Sequence, residues 1–471
     1  MDFQGIRSGL LSAFGESVCD LDDGNVEAAS CDGWHLHQGR AAALMKPRTV
    51  EEVSAIVKWC VERAIAIVPQ GGNTGLAGGA IPDHSGHQVI LSLSRLNKIR
   101  EIDAIDYTAT VEAGCVLAAV QDAVRAQDRI FPMTFGAEGS CQIGGVLSTN
   151  AGGSNTLRYG NARDLVLGLE VVLADGTIWN GLRRLRKDNT GYDLRHLFMG
   201  AEGTLGIITA AVLKIFPTSR SQQTVLAALP RLEDSTRLLA AAKARMGETI
   251  SAFELMPRRF IQLMHEHVDG VPMPPSPDEP WFVLIEFESA DTEEQLSEKS
   301  ASFLEQALSD GLISDAAIAA NLEQKKKFWH LRDGIAEAQL RNGAVIYTDV
   351  SIPVSAVPAF IADACERLQK LDPDIDINAF GHVGDGNVHF NMLQPKGWGK
   401  DKFMGRKKSY EALIFETVRG HGGSISAEHG IGAAKVDALL EHKAPAEMQL
   451  MAKIRSAIAG NVFNPNKVVP I

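Results

Sequence analysis

The chain of 471 residues contains no run of about 20 apolar residues, so no membrane-spanning helix is expected. It has no basic excess either. Acidic residues number 58 against 46 basic ones, for a formal net charge of −12. That balance argues against a nucleic-acid partner and leaves a bound phosphate to be held mainly by backbone groups. The six cysteines (Cys19, Cys31, Cys60, Cys115, Cys141 and Cys365) form no CxxC pair. They read as free thiols of a reducing compartment, not as a disulfide framework or zinc clip, and a cytoplasmic location is expected. Met1 to Glu16, with one Arg, two acids and no apolar core, does not read as a secretory signal or transit peptide. Four motifs are missing as well: GxGxxG after a strand, GxxxxGK followed by Ser or Thr, GxSxG, and HExxH. The NAD-binding Rossmann, kinase, NTPase, serine hydrolase and zincin readings lose their main support.

What the chain has is glycine. Fourteen glycines lie between Pro69 and Gly160, roughly twice the average density. They fall in two clusters. The first is Pro69-Gln70-Gly71-Gly72-Asn73-Thr74-Gly75-Leu76-Ala77-Gly78-Gly79. Such a loop can turn successive N–H groups inward and let a diphosphate approach the backbone. Asn73 and Thr74 could add side-chain donors. The second cluster joins Gly139-Ser140-Cys141-Gln142-Ile143-Gly144-Gly145 to Ser148-Thr149-Asn150-Ala151-Gly152-Gly153. Two such loops in one unit point to a large, extended, phosphate-bearing cofactor; tight turns without a ligand are the alternative.

The length corresponds to roughly two to three domains. Ahead of the first cluster, Thr49 and Glu52 form a capping box for a helix striped by Val53, Ile56, Val57 and Cys60. Ala64 to Val68 reads as a strand that Pro69 stops. Thr108 to Glu112 is a strand, Val116 to Ala126 a helix, and Ile130-Phe131-Pro132 a return. Val166 to Leu173 and Thr177 to Trp179 form a hairpin about Asp175-Gly176. After Phe216-Pro217 the composition changes. Arg231 to Arg245 and Glu293 to Ser309 read as helices, Phe282 to Phe287 as a strand, and Pro272 to Pro280 as a loop. The second part is therefore α+β.

Two polar motifs follow. In Gly381-His382-Val383-Gly384-Asp385-Gly386-Asn387-Val388-His389-Phe390-Asn391, a hairpin about Gly384 to Asn387 would set His382 opposite His389 and Asn391 on the same face. Two facing imidazoles suit a zinc-like divalent metal, and a polar hairpin face is the alternative. In Ser426-Ala427-Glu428-His429-Gly430-Ile431-Gly432, Glu428 could complete a His-His-Glu metal set, with His429 as a base beside it. The alternative there is a helix start capped by Ser426. His265 and His267 read as solvated at a helix end, and His35 and His37 as alternating on a strand. Arg183 to Lys187 reads as a solvated turn.

Taken together these residues resemble the FAD-linked oxidases of the vanillyl-alcohol oxidase / p-cresol methylhydroxylase superfamily, and among them the D-2-hydroxyglutarate and D-lactate dehydrogenases. The likeness runs from about Pro47 to Val468. It includes Arg186 to Leu194, Gly200-Ala201-Glu202-Gly203-Thr204-Leu205-Gly206-Ile207-Ile208-Thr209 and Asn464-Pro465-Asn466-Lys467. The resemblance implies an α+β fold: a two-part FAD-binding domain over 1–217, an α+β substrate domain with an antiparallel sheet over 218–420, and a C-terminal helical segment over 421–471 returning to the flavin. The loop Gly71 to Leu76, with Pro69, Gln70 and Gly78, would hold the pyrophosphate. Gly139, Ser140, Ile143 to Gly145, Thr149, Asn150, Gly152 and Gly153 would line the flavin, joined by Pro132, Gly203, Ile207, Ile208 and Asn464. Some relatives tether FAD through a histidine of the first loop. Asn73 stands in that kind of position, which implies non-covalent FAD. His382, His389 and Glu428 match the residues that hold a divalent metal, usually zinc. Arg332, Asn391 and His429 match substrate contacts.

The implied reaction is oxidation of a D-2-hydroxy acid. Arg332 would grip the 1-carboxylate, and the metal would lower the pKa of the 2-hydroxyl. His429 would take its proton, and hydride would pass to flavin. One departure stands out. The hydroxyglutarate enzymes have a Thr four residues after the arginine and a Lys further on, where this chain has Ala336 and Tyr347. That makes D-lactate a rival substrate. An electron acceptor of quinone or electron-transfer-flavoprotein type is implied, and a homodimer is compatible. A zinc hydrolase with purely structural glycine loops is the rival reading, and a flavoprotein subunit of a larger assembly is a third.

Overall fold

In the computed structural model, which describes residues 1–471, Val53, Ile56, Val57 and Cys60 form the buried face of helix Val50–Val61. Thr49 caps it by accepting the Glu52 N–H at 3.2 Å. The Glu52 carboxylate turns back one residue further than a capping box requires and takes the Arg48 N–H at 2.6 Å. The strand that follows is Ile67–Gln70, later than the sequence pattern implied. Ala64 is left-handed, with φ 54°, and is spent on ending the helix. Pro69 lies inside the strand and does not stop it. Ile67–Gln70 is the last strand of its sheet; the closing segment bonds its outer side only at Ile67, so the missing N–H of Pro69 breaks no ladder.

Two compact units make up the chain. The first comprises Met1–Gly153, Gly160–Thr218 and Glu428–Ile471, the second Ser154–Tyr159 and Ser219–Ala427. In the first unit a four-stranded sheet runs Cys19–Asp20, Ala41–Met45, Gln88–Ser92, Ile67–Gln70, and the last three strands are parallel. Its strands are buried almost throughout, which is why they read as unbroken apolar runs. Helices Phe3–Phe14 and Val50–Val61 contribute Ile6, Leu10, Val53 and Ile56 to the core beside it, and Phe463 of the closing segment joins them. A five-stranded antiparallel sheet follows, ordered Ile99–Asp103, Thr108–Glu112, Ile207–Lys214, Val166–Val172, Ile178–Gly181. The expected hairpin turns at Gly176, with φ 77°. His35 and His37 do not lie on a strand. They sit in a loop wound around Asp32, whose carboxylate accepts the N–H groups of Trp34, Leu36 and His37.

The second unit is built on an antiparallel sheet ordered Ile250–Pro257, Trp281–Ser289, Ser221–Leu229, Asp315–Ile318. Helix Glu293–Ser309 starts in a complete capping box between Thr292 and Gln295. A smaller sheet centres on Asn387–Leu393, which pairs with Asp376–Phe380, Asp349–Ser351 and Val345–Ile346. Phe260, Met264, Phe282 and Leu331 pack one core with Phe380 and Leu393. No helix is long and apolar enough to cross a membrane.

The closing segment of the first unit is organised by one side chain. Arg455, 2 % exposed, donates from Nη1 to the carbonyls of Lys467 and Val469 at 2.5 and 2.6 Å, and from Nη2 to those of Phe463 and Asn464 at 3.0 and 2.8 Å. A planar fork of donors meets four carbonyls at once. Arg455→Met keeps much of the apolar stem and strands those carbonyls. The expected loss is about 3 kcal/mol or more in denaturant unfolding, with early proteolytic release of residues after Gly460. Arg455→Lys should recover only part of it.

Candidate active site

The first glycine cluster begins where strand Ile67–Gln70 ends, the position at which parallel strands present ligands. The Gln70 amide clamps the loop's surroundings, donating from Nε2 to the carbonyls of Ala29 at 2.8 Å and Ala80 at 3.0 Å. The second cluster lies directly against the first. A Cβ on Gly72 would stand 2.2 Å from the Ser140 carbonyl oxygen, and one on Gly71 3.4 Å from the Gly145 nitrogen. Beside Gly75, Gly139 and Gly145, by contrast, the space a side chain would occupy is open. Gln142, between these loops, keeps its Oε1 buried with no hydrogen-bond partner. Open glycine faces and an orphaned acceptor fit an extended cofactor that brings its own donors.

One expected side-chain donor, Asn73, and one expected flavin-lining hydroxyl, Thr149, are already committed. Asn73, with φ 55°, gives its Nδ2 proton to the Cys31 carbonyl at 2.7 Å. Thr149 gives its hydroxyl proton to Gly145 at 3.1 Å. Gly144 has no room for a side chain, since a Cβ would meet that of Ala113 at 2.8 Å. Pro132, Ile143 and Gly153 are buried. Ile207 and Ile208 are buried in the five-stranded sheet. Asn464 donates to the Glu202 carbonyl at 2.8 Å, and the left-handed Gly203 follows that residue.

In the second unit the candidate residues gather around an acid that the sequence reading did not single out. Glu254, on strand Ile250–Pro257, is 1 % exposed. Its Oε2 accepts from Nε and Nη2 of Arg332, both at 2.9 Å, and its Oε1 meets Nδ1 of His382 at 2.7 Å. Arg332 is therefore a buried residue of helix Leu322–Asp333, with its guanidinium over the Phe380 ring. Burial alone would raise the Glu254 carboxyl, but the charges of His382 and Arg332 outweigh it and hold the group at about 2.

The hairpin register differs from the expected one. Strand Asp376–Phe380 stops before the histidine, and the residue opposite His389 is Phe380, not His382. A glycine-bounded turn, Gly381 at φ 148° and Gly386 at φ 88°, carries His382. Three amides, of Asp385, Gly386 and Asn387, converge on the His382 carbonyl. The imidazoles still meet, with ring centroids 5.6 Å apart. Each has a carboxylate at Nδ1: Glu254 for His382, and Asp349 at 3.7 Å for His389. The Glu254 contact favours, for neutral His382, the tautomer in which Nε2 carries the lone pair, the form that binds a divalent cation. Asn391 donates to Gln339 Oε1 at 3.1 Å, and its own Oδ1 is buried without a partner. Ala336 and Tyr347 are exposed.

The chain passes from the second unit to the first between Ala427 and Glu428. Ala427 is held by its N–H on the Asp349 carbonyl at 3.2 Å. Residues 426–430 are not helical, so this segment is not a helix start. Glu428 and His429 open the first unit's closing segment, and Ile431 and Gly432 just beyond are bound to Glu202. Glu254 is the lone acid of the mostly apolar strand Ile250–Pro257, the one local signal of its burial; Asp349, opening the short strand Asp349–Ser351, carries none.

The sequence matches the FAD binding domain family over residues 41–181 and the family of FAD linked oxidases, C-terminal domain, over residues 218–468. The chain belongs to the FAD-linked oxidases. It is 39% identical over 457 residues to the mitochondrial D-2-hydroxyglutarate dehydrogenase of Arabidopsis thaliana, covering 97% of this chain and 80% of that one. A putative mitochondrial D-lactate dehydrogenase of Schizosaccharomyces pombe is 35% identical over 459 residues, covering 95% and 84%. Among solved structures, p-cresol methylhydroxylase with substrate bound superposes with a TM-score of 0.77 at 19% identity, covering 99% and 96%. This FAD-linked oxidoreductase thus has the two-domain fold of that superfamily, and the zinc-hydrolase reading falls. The expected cytoplasmic location is also overturned, because the rice, Arabidopsis, cattle and rat relatives are all named as mitochondrial. Scattered free thiols do not choose among reducing compartments.

Glu254→Gln tests the buried cluster. It leaves the Arg332 charge without its partner, and a loss of about 3–5 kcal/mol is expected. The pH dependence has a definite sign. A carboxyl lowered from 4.5 to about 2 contributes stability above the ordinary value and loses it as pH falls toward 2. Unfolding curves from pH 7 to pH 2 should therefore show the wild type losing its advantage over Glu254→Gln below about pH 4.5.

Proposed function

We propose that this FAD-linked oxidoreductase oxidises a D-2-hydroxy acid, D-2-hydroxyglutarate or D-lactate, to the 2-oxo acid. The observation that carries the reading is the convergence of Arg332 and His382 on buried Glu254, with His389 beside them. Glu254 occupies the Nε–Nη2 edge of the guanidinium. The Nη1–Nη2 end suits the substrate's 1-carboxylate, so Arg332 can grip it at two points while the acid fixes its plane. Asn391 offers Oδ1 as an acceptor toward the substrate. His382 and His389 would hold a divalent cation, zinc being the first choice for imidazoles, with Glu428 as third ligand. Support for Glu428 comes from its place one residue beyond Ala427, which is tied to the strand partner of His389. When bound, FAD supplies the hydride acceptor and the cation a Lewis acid for the 2-hydroxyl. His429 takes the hydroxyl proton. FAD is held without a covalent bond, since Asn73 replaces a tethering histidine and its amide is committed to Cys31. The electrons leave to a quinone or an electron-transfer flavoprotein, and the relatives' names support a mitochondrial location.

The metal claim is tested by elemental analysis. His389→Ala should lose the cation while its flavin content stays near that of the wild type; unchanged metal content would remove the assignment.

Roles are separated by anaerobic stopped-flow on the flavin band. His429→Ala should slow flavin reduction by about 10²–10⁴-fold with little change in KM. Arg332→Lys should raise KM sharply, because an ammonium lacks the planar grip. D-substrates should reduce the flavin and L-forms should not. With Ala336 and Tyr347 in place of Thr and Lys, D-2-hydroxyglutarate should hold no large kcat/KM advantage over D-lactate. Reduction by both enantiomers at equal rates would refute the site.

A further inference from the structure

The segment after His429 is fixed with unusual completeness within the first unit. The N–H of Ile431 donates to Glu202 Oε1 at 2.7 Å and that of Gly432 to Oε2 at 2.8 Å. Ala433 and Ala434 both donate to the Ala77 carbonyl, at 2.9 and 3.1 Å, and Gly432 accepts from the Val468 N–H at 2.9 Å. Gly430 and Gly432 are left-handed, with φ 74° and 53°. A Cβ on Gly430 would fall 2.8 Å from the Glu202 carboxylate, and one on Gly432 2.0 Å from the Ala77 oxygen. The two amides thus make a concave anion site that this chain fills with its own carboxylate.

Glu202 is itself tied to both glycine clusters. Its N–H donates to Ser148 of the second at 2.8 Å. Its Oε2 lies 3.3 Å from where a Cβ on Gly79 of the first would stand. Its carbonyl accepts from Asn464, whose Oδ1 accepts from Lys467 at 3.1 Å, and Lys467 donates in turn to Gly79 at 2.9 Å and Ile81 at 2.6 Å. Glu202 also adopts φ 50° without being glycine, a conformation that costs of order 1 kcal/mol and persists only where surroundings enforce it.

We infer that Glu202 is a positioning residue for His429: its carboxylate sets the base's backbone in register with the two loops that carry the flavin. The inference rests on the reading of His429 as the base. A displacement of about 1 Å in such a group costs on the order of 10²-fold in rate, whereas ground-state substrate binding through Arg332 needs no help from Glu202.

The test is a double-mutant cycle on flavin-loaded protein. Glu202→Gln keeps the shape but turns an NH2 toward one of the two amides. It should retain FAD and slow flavin reduction by about 10–100-fold, with KM within about threefold. Combined with His429→Ala it should add almost nothing, because it acts through that side chain. An equal slowing in both backgrounds, or a wild-type rate for Glu202→Gln, overturns the proposal. A wild-type rate for His429→Ala alone removes the base and the proposal with it, a failure distinct from the other two. If Glu202→Gln does not fold, Gly430→Ala brings a methyl against the same carboxylate and must give the same His429-dependent loss; a loss independent of His429 refutes the proposal.

Discussion

A carboxylate taken out of water has to be met by donors from wherever the chain can supply them, and in the second unit Glu254 makes that demand. Strand Ile250–Pro257 carries it into an apolar layer, so a helix residue and a turn residue remote in sequence must come to it. Arg332 arrives from helix Leu322–Asp333. His382 arrives from the turn after Phe380, which is anchored because Leu255 and Gly381 exchange backbone hydrogen bonds. The ring of Phe380 then lies beside both the guanidinium and His389. The geometry of this cluster is thus the solution to a solvation problem.

The first unit answers a different demand with different means. Its net-acidic chain offers few side-chain cations to a phosphate, and its glycine clusters instead bring backbones close through residues without side chains. Gly72 and Gly144 are positions where any Cβ collides, whereas Gly75, Gly139 and Gly145 are positions where nothing stands in the way. The former are places where backbones meet closely, and the latter leave open space beside the loops.

This difference explains what could be read from the sequence. The Val53–Cys60 stripe and the Asp175-Gly176 turn are local patterns, and each became the element expected of it; the second glycine cluster did not stay a loop, because Ile143–Ser148 within it is a short helix that buries Ile143, Val146 and Leu147. The meeting of His382 and His389 was legible in outcome but not in cause. The register was set by Phe380, whose aromatic ring is worth more in the core than an imidazole. Glu254, Asp349 and Glu202 carry their meaning in partners far along the chain, where no spacing rule reaches. Pro69 misled because its effect depends on whether a strand lies at an edge, which is a property of the finished sheet.

That edge strand is completed by the closing segment: Ile67 donates to the Val462 carbonyl and accepts from the Asn464 N–H. In the order of synthesis, the sheet's last partner therefore emerges after the whole of the second unit's main segment. The first unit waits with an unpaired border while Ser219–Ala427 is made, and its non-local closure makes it the slower part to mature. Proline at position 69, unable to donate to a stray strand, guards the border of the nascent chain during that interval.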